Sequence, residues 1–215
     1  MIAKSVLFPL LLLAIGLQPT HTAAQDRVTC DTCPIATVKP TVSKPFRLAD
    51  TSHGCTTRTK RGFPVPDPKC TPGAANPTVT LEVLKDPSFR TGCVRNCASS
   101  ENAKKATYAQ YGIPQPTENT GSSQVCELDH LVSLELGGAD TLDNIWPQCG
   151  PDSVPLAQRY FKQKDAVENY LAAQVKAGKM SLGKAQKKIA SDWTQFLGKA
   201  QSFCSQNAGK CNGGN

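Results

Sequence analysis

Ten cysteines in 215 residues constrain this chain more than any other feature. Their number is even, and they follow a stretch from Ser5 to Leu17 that is almost wholly apolar behind a single basic residue, Lys4. Thr22, Ala23 and Ala24 supply the small residues where a signal peptidase cuts, so residues 1–24 read as a signal peptide. An exported chain meets an oxidising compartment, and cysteines form disulfides there. The expected localisation is therefore secreted or periplasmic. Cys30-x-x-Cys33 has zinc-ligand spacing, but no second pair accompanies it, and disulfides are the better account of both residues. Pairing is not fixed by sequence, although Cys126 and Cys149 flank one segment and are placed to clamp it. No stretch reaches the roughly 20 apolar residues that a membrane span requires, so none is expected.

After cleavage roughly 190 residues remain, enough for one domain with a modest core. The formal net charge is +7, and the leader takes away only Lys4 of that excess. A basic surface suits a polyanion: nucleic acid, anionic lipid or cell-wall polymer are equally well served by charge alone. Residues 25–70, rich in Thr, Pro, Lys and Cys without a sustained period, read as an irregular segment wrapped around a core. Thr78 to Leu84 alternates like a short strand. Ser99 to Gln110 reads as a helix closed by Gly112 and Pro114. Val125 to Leu134 reads as a strand or hairpin arm, and Gly137-Gly138 as a tight reversal. Leu156 to Ala177 has helical period, with Leu156, Tyr160, Val167, Leu171 and Val175 on one face. A last helix runs from Ser181, a good N-cap, to about Leu197. Residues 71–200 then form the main domain, and 201–215 a cysteine-containing tail. The fold class is α+β: a disulfide-stabilised hairpin and helix with an additional C-terminal helix.

The segment Glu127-Leu128-Asp129-His130, followed by Gly137-Gly138 and Asn144-Ile145-Trp146-Pro147, is the densest cluster of catalytic residue types. Phosphodiester hydrolysis needs a base to activate water, a cation to stabilise charge on phosphate, and a group that holds the base in orientation. An adjacent acid and histidine can serve the first two from one strand, since successive side chains point to opposite faces. An Asn after the hairpin can accept the second imidazole N–H.

These residues resemble the His-Me finger, or HNH, endonucleases, built on a beta-beta-alpha-metal hairpin and helix. More closely, Asp-His-Leu-x-x-Leu-Glu-Leu-Gly-Gly, Asn-Ile-Trp-Pro and Lys164-Asp165-x-x-Glu168-Asn169 resemble a group of small secreted bacterial HNH-like proteins, over about Thr71 to Trp193. The resemblance implies His130 as general base, Asp129 as metal ligand and Asn144 as the residue that positions His130. HNH motifs usually place a further His or Asn ligand on the following helix, and this helix has no His. Glu168, with Asp165 on the same face, is the expected ligand in its place. Oxygen donors suit Mg2+, with Mn2+ or Ca2+ as alternatives. Lys164 is then free for phosphate.

Duller readings stand beside these. Asn144 can simply stabilise a turn, and Asp165 and Glu168 can form a solvated helix face. Glu135 reads as an exposed hairpin residue, and Trp146 and Trp193 as core. His53 and His21 are not candidates. Lys176, Lys179, Lys184, Lys187, Lys188 and Lys199 are either a solvated face or a guide for a phosphate backbone. The expected function is a metal-dependent endonuclease acting on DNA or RNA with little sequence preference. A polyanion-binding or envelope protein on a degenerate scaffold is the alternative, and a hydrolase of another phosphodiester a third.

Overall fold

The computed structural model describes residues 33–41, 54–96 and 101–211, with backbone alone for 101–103. The expected leader, Cys30, Cys97, His21 and His53 lie outside these residues. The architecture is α+β. Two antiparallel pairs, β1 (Arg58–Lys60) with β2 (Phe63–Val65) and β3 (Cys126–His130) with β4 (Ile145–Cys149), form separate two-stranded sheets. The helices are α1 (Leu81–Lys85), α2 (Glu101–Gln110), α3 (Tyr160–Lys176), α4 (Leu182–Asp192) and α5 (Leu197–Gln206).

Helix α3 organises the core. Phe161, Lys164, Val167, Leu171 and Val175 recur at three- and four-residue steps and are fully buried. Against this stripe pack Leu84, Val94, Val132, Leu136, Ile189 and Trp193. Each such aliphatic side chain contributes roughly 1.5–3 kcal/mol by leaving water. Trp146 and Trp193 are both fully buried, as their expected core role requires. Residues on both sides of position 70 share this core, because Val38 and Val65 join it.

Several local expectations are corrected. The segment 25–70 contains the β1–β2 hairpin, turned by Arg61 and Gly62 at positive φ. Thr78 to Leu84 is not a strand. Thr80 caps a helical turn by accepting the Val83 N–H at 3.3 Å, and Pro87 stops the helix by forcing Asp86 out of the helical region. Ser181 occupies an N-cap position without a side-chain cap bond. After α4 the chain kinks through a 3-10 turn at Trp193–Phe196 and re-forms as α5, which runs into the expected tail.

Four disulfides join the described residues: Cys33–Cys93, Cys55–Cys70, Cys126–Cys149 and Cys204–Cys211. Cys33 is thus a disulfide partner and not a zinc ligand. Cys126 and Cys149 face each other in the β3–β4 register, so their bond does clamp that pair at its open end.

Candidate functional site

Strand β3 ends at His130, short of the expected Leu134, and residues 131–144 connect it to β4. Gly137-Gly138 is therefore not a two-residue hairpin turn. Gly137 instead closes a 3-10 turn at Leu134–Leu136 with φ of 69°. A Cβ on Gly138 would lie 1.8 Å from the Val132 carbonyl oxygen, so the connection is folded tightly on itself. Asn144 sits inside that fold, fully buried. Its Nδ2 donates to the carbonyls of Val132 at 2.9 Å and Ala139 at 2.8 Å, and its Oδ1 accepts the Val132 N–H at 2.9 Å. All of its bonds go to backbone. Asn144 does not touch the imidazole, and its expected positioning of His130 is corrected to a clamp on the connection.

The partner of His130 is Asp140. The ring Nε2 lies 2.8 Å from Asp140 Oδ1, and Asp140 is fully buried. Asp140 also accepts the Asn96 N–H at 2.6 Å and pairs with Lys104 at 3.2 Å. Burial alone would raise its carboxyl, but the imidazole, Lys104 and the Asn96 N–H reverse this and hold it well below the usual carboxylate range. An ionised carboxylate on Nε2 fixes the neutral tautomer with the proton on that nitrogen. The other ring nitrogen, Nδ1, has no hydrogen-bond partner among the described residues. Burial pushes the imidazole pKa below its ordinary value and Asp140 opposes this only in part, so the ring is neutral at pH 7.

Because β3 side chains alternate, Glu127 and Asp129 leave the face opposite to His130 and meet α3. Asp129 is buried with both oxygens engaged. Oδ2 accepts the Trp146 indole N–H at 3.0 Å, and Oδ1 accepts from Lys164 Nζ at 2.9 Å. Lys164, fully buried, also donates to the His130 carbonyl at 2.8 Å and to the Glu168 carboxylate. It is not free for phosphate, and that expectation is corrected: the core stripe of α3 carries it inward. Burial would lower the Lys164 ammonium, but Asp129 and Glu168 more than offset this and raise it. Burial raises both Asp129 and Glu168, with Lys164 opposing. Asp165 is held from the outer side by Lys162 at 2.8 Å.

Several of these groups line one cavity of about 270 Å3, with Asp140 and Lys164 behind its wall. Its wall includes His130, Glu127, Asp129, Asp165, Glu168 and Arg95. Glu135, expected to be exposed, is half-buried in the same wall. Although 34% of the Glu127 side chain reaches solvent, the surrounding protein and the charges of Asp165 and Asp129 push its carboxyl up to about 7. Arg95 is half-buried and has no carboxylate partner among the described residues, and its charge reaches His130.

The donor chemistry suits a hard cation, but the arrangement does not fit one. The Lys164 ammonium stands between Asp129 and Glu168, and each Asp129 oxygen already accepts a hydrogen bond. Among the described residues no group of three or more His, Cys, Asp or Glu side chains is placed to hold a metal ion. Sequence reasoning missed Asp140, Glu127, Arg95 and the inward course of Lys164. Two of these had a signal: Glu127 opens the densest catalytic segment, and Lys164 falls three residues before Val167 and seven before Leu171, on the apolar stripe. No family model matches the chain, and no curated protein or solved structure is significantly similar to it.

Proposed function

We propose that this protein is a secreted endonuclease that hydrolyses phosphodiester bonds of DNA, and of RNA, with little sequence preference. The observation that carries the reading is the His130–Asp140 pair: a neutral imidazole, tied through Nε2 to a buried carboxylate, with Nδ1 unengaged at a cavity lined by acid and base groups. The β3–β4 pair followed by α3 has the order of the HNH hairpin and helix, which supports the same reading.

In the proposed step a water oxygen bonds to phosphorus while its proton passes to His130 Nδ1. Asp140 stabilises the imidazolium that forms. The phosphorus bond to the sugar oxygen breaks, and that oxygen takes a proton from the Glu127 carboxyl. A group with a pKa near 7 is half protonated at neutral pH and suits the acid's role, as His130 suits the base's. Arg95 binds the phosphate oxygens, where a guanidinium forms paired hydrogen bonds. Asn144 and Gly138 hold the connection that carries Asp140. No step passes through a metal ion.

A polymeric substrate is favoured over a small phosphodiester by a second cavity of about 710 Å3 that shares Lys162 with the first and is lined by Arg61, Phe63 and Tyr160. The lysines of α4, by contrast, line neither cavity, so they act at most through their field.

The test is direct. The oxidised protein, incubated with plasmid DNA or with RNA in EDTA, in Mg2+ and in Mn2+, should cut. His130→Ala should lower the rate by about 10²–10⁴-fold at a temperature where circular dichroism shows the variant folded, its melting temperature falling because buried Asp140 loses a partner. Salt-sensitive DNA binding without cleavage under any of the three conditions would reject the enzyme and favour the polyanion-binding alternative.

A further inference from the structure

The buried trio beneath the cavity carries a consequence for the cofactor. Lys164 Nζ has three protons and meets three oxygen acceptors: Asp129 Oδ1 at 2.9 Å, the His130 carbonyl at 2.8 Å, and Glu168 Oε1. Each N–H is used. Two carboxylates and a backbone carbonyl are also the oxygen donors by which proteins hold hard divalent cations. The same position thus admits either an ammonium or a metal ion, and here helix α3 supplies the ammonium covalently.

We infer that Lys164 is a built-in replacement for the divalent cation: its ammonium occupies the cation position between Asp129 and Glu168, closes that position to metal, and makes catalysis in this cavity independent of divalent metal. The catalytic half of this inference rests on the nuclease reading above, whereas the cation half does not.

Displacement by a metal ion is unfavourable for a structural reason. Lys164 is itself fully buried and is flanked on its helix face by Phe161 and Val167, both fully buried, so the ammonium has no other partner within the core. Evicting it would leave a charge in apolar surroundings without a partner, which costs several kcal/mol. Asp129 Oδ2 is occupied as well, by the Trp146 indole N–H. Conversely, taking the ammonium away leaves two buried carboxylates and a carbonyl around an empty centre. That arrangement is unstable until a cation fills it or the carboxylates take up protons, and a fitting cation displaces those protons increasingly as pH rises.

The experiment uses the full disulfide-bonded chain and the metal ions themselves as probes. Wild-type protein titrated with Mn2+ should show no stoichiometric binding by calorimetry or by the electron paramagnetic resonance of free Mn2+. Its melting temperature in Mg2+, Mn2+ or Ca2+ should match that in NaCl of equal ionic strength. Lys164→Met should melt lower than wild type in EDTA and recover saturably with Mn2+, and adding Asp129→Asn should abolish the recovery. If Lys164→Met does not fold in EDTA, its refolding yield with and without Mn2+ gives the same readout, and Lys164→Gln is the second variant.

One equivalent of Mn2+ bound by wild type and lost in Asp129→Asn would overturn the inference, and so would a folded Lys164 variant indifferent to metal. If neither variant folds with metal, the wild-type titration decides alone. The cleavage assay separates the two readings. Cutting that survives EDTA supports both, and cutting that requires a divalent ion retains the nuclease but overturns the replacement. No cutting at all rejects the nuclease and the metal-free catalysis, and the titration still decides what occupies the cation position.

Discussion

The proposed hydrolysis needs two groups of one cavity in opposite protonation states, and burial pushes them the right way for that. Burial lowers the His130 imidazole, so it is an unprotonated base from below its usual 6.5 upward. Burial and neighbouring carboxylates raise Glu127 to about 7, so it keeps its proton up to about that pH. The rate should therefore follow a bell, rising as His130 loses its proton on the acid side and falling as Glu127 loses its own near 7. Asp140→Asn removes the carboxylate that partly restores the imidazole pKa, so the acid limb should move to lower pH. The same change releases the tautomer and should cost about 10²–10⁴-fold in kcat with little change in KM. An acid limb that stays in place in Asp140→Asn would break the link between the two residues. The sequence made His130 legible because an Asp-His pair ahead of Gly-Gly and Asn-Ile-Trp-Pro is a dense local signal. Asp140 was not legible, since Gly-Gly-Ala-Asp reads as a turn and nothing local announces a buried carboxylate returning to a histidine ten residues earlier.

At the scale of the element, the connection between β3 and β4 decides whether those residues meet. Its backbone is held by Asn144 from within and by the closeness of Gly138 to Val132. Gly138→Ala should destabilise by about 3 kcal/mol, since the clash is with backbone that cannot swing aside. Gly183→Ala makes the contrast: it lies in α4 with nothing within 4 Å of the added methyl, and should stabilise by roughly 0.5–1 kcal/mol. Urea melts of the two variants check both signs, and a mild loss for Gly138→Ala would mean the connection can relax. The helices were the legible elements, because α2, α3 and α4 carry composition or apolar period over ten residues or more. Short pieces were not. Thr78 to Leu84 has β-branched alternation, yet one Thr80 side-chain bond and one proline suffice to make it a helical turn. The reversal at Gly137-Gly138 misled for a similar reason: the glycines mark a close backbone approach inside a longer connection, and sequence alone does not separate that use from a hairpin turn.

For the whole molecule, the disulfides do more than compensate for a modest core. Cys33–Cys93 spans 60 residues and secures the 3-10 turn Thr91–Val94, immediately before Arg95 in the cavity wall. Cys204–Cys211 spans 7 residues at the far end of α5, where Cys204 borders the second cavity and no residue of the bridge borders the first. Loop-closure entropy assigns about 4 kcal/mol to the first and about 2 kcal/mol to the second. Stability alone would therefore distinguish them only by degree, whereas their places in the fold distinguish them in kind. Cys33→Ser with Cys93→Ser frees the turn that positions Arg95, so KM for the nucleic acid should rise while kcat, set by His130 and Glu127 on other elements of the fold, changes less. Cys204→Ser with Cys211→Ser should lower the urea midpoint and leave KM for a small phosphodiester, which engages the first cavity alone, where it was. Steady-state kinetics of both double variants, at a temperature where each is folded, would decide whether the long bridge serves the cavity. Equal KM shifts for the small phosphodiester in the two would place Arg95 outside substrate binding and return the role of these bridges to stability alone.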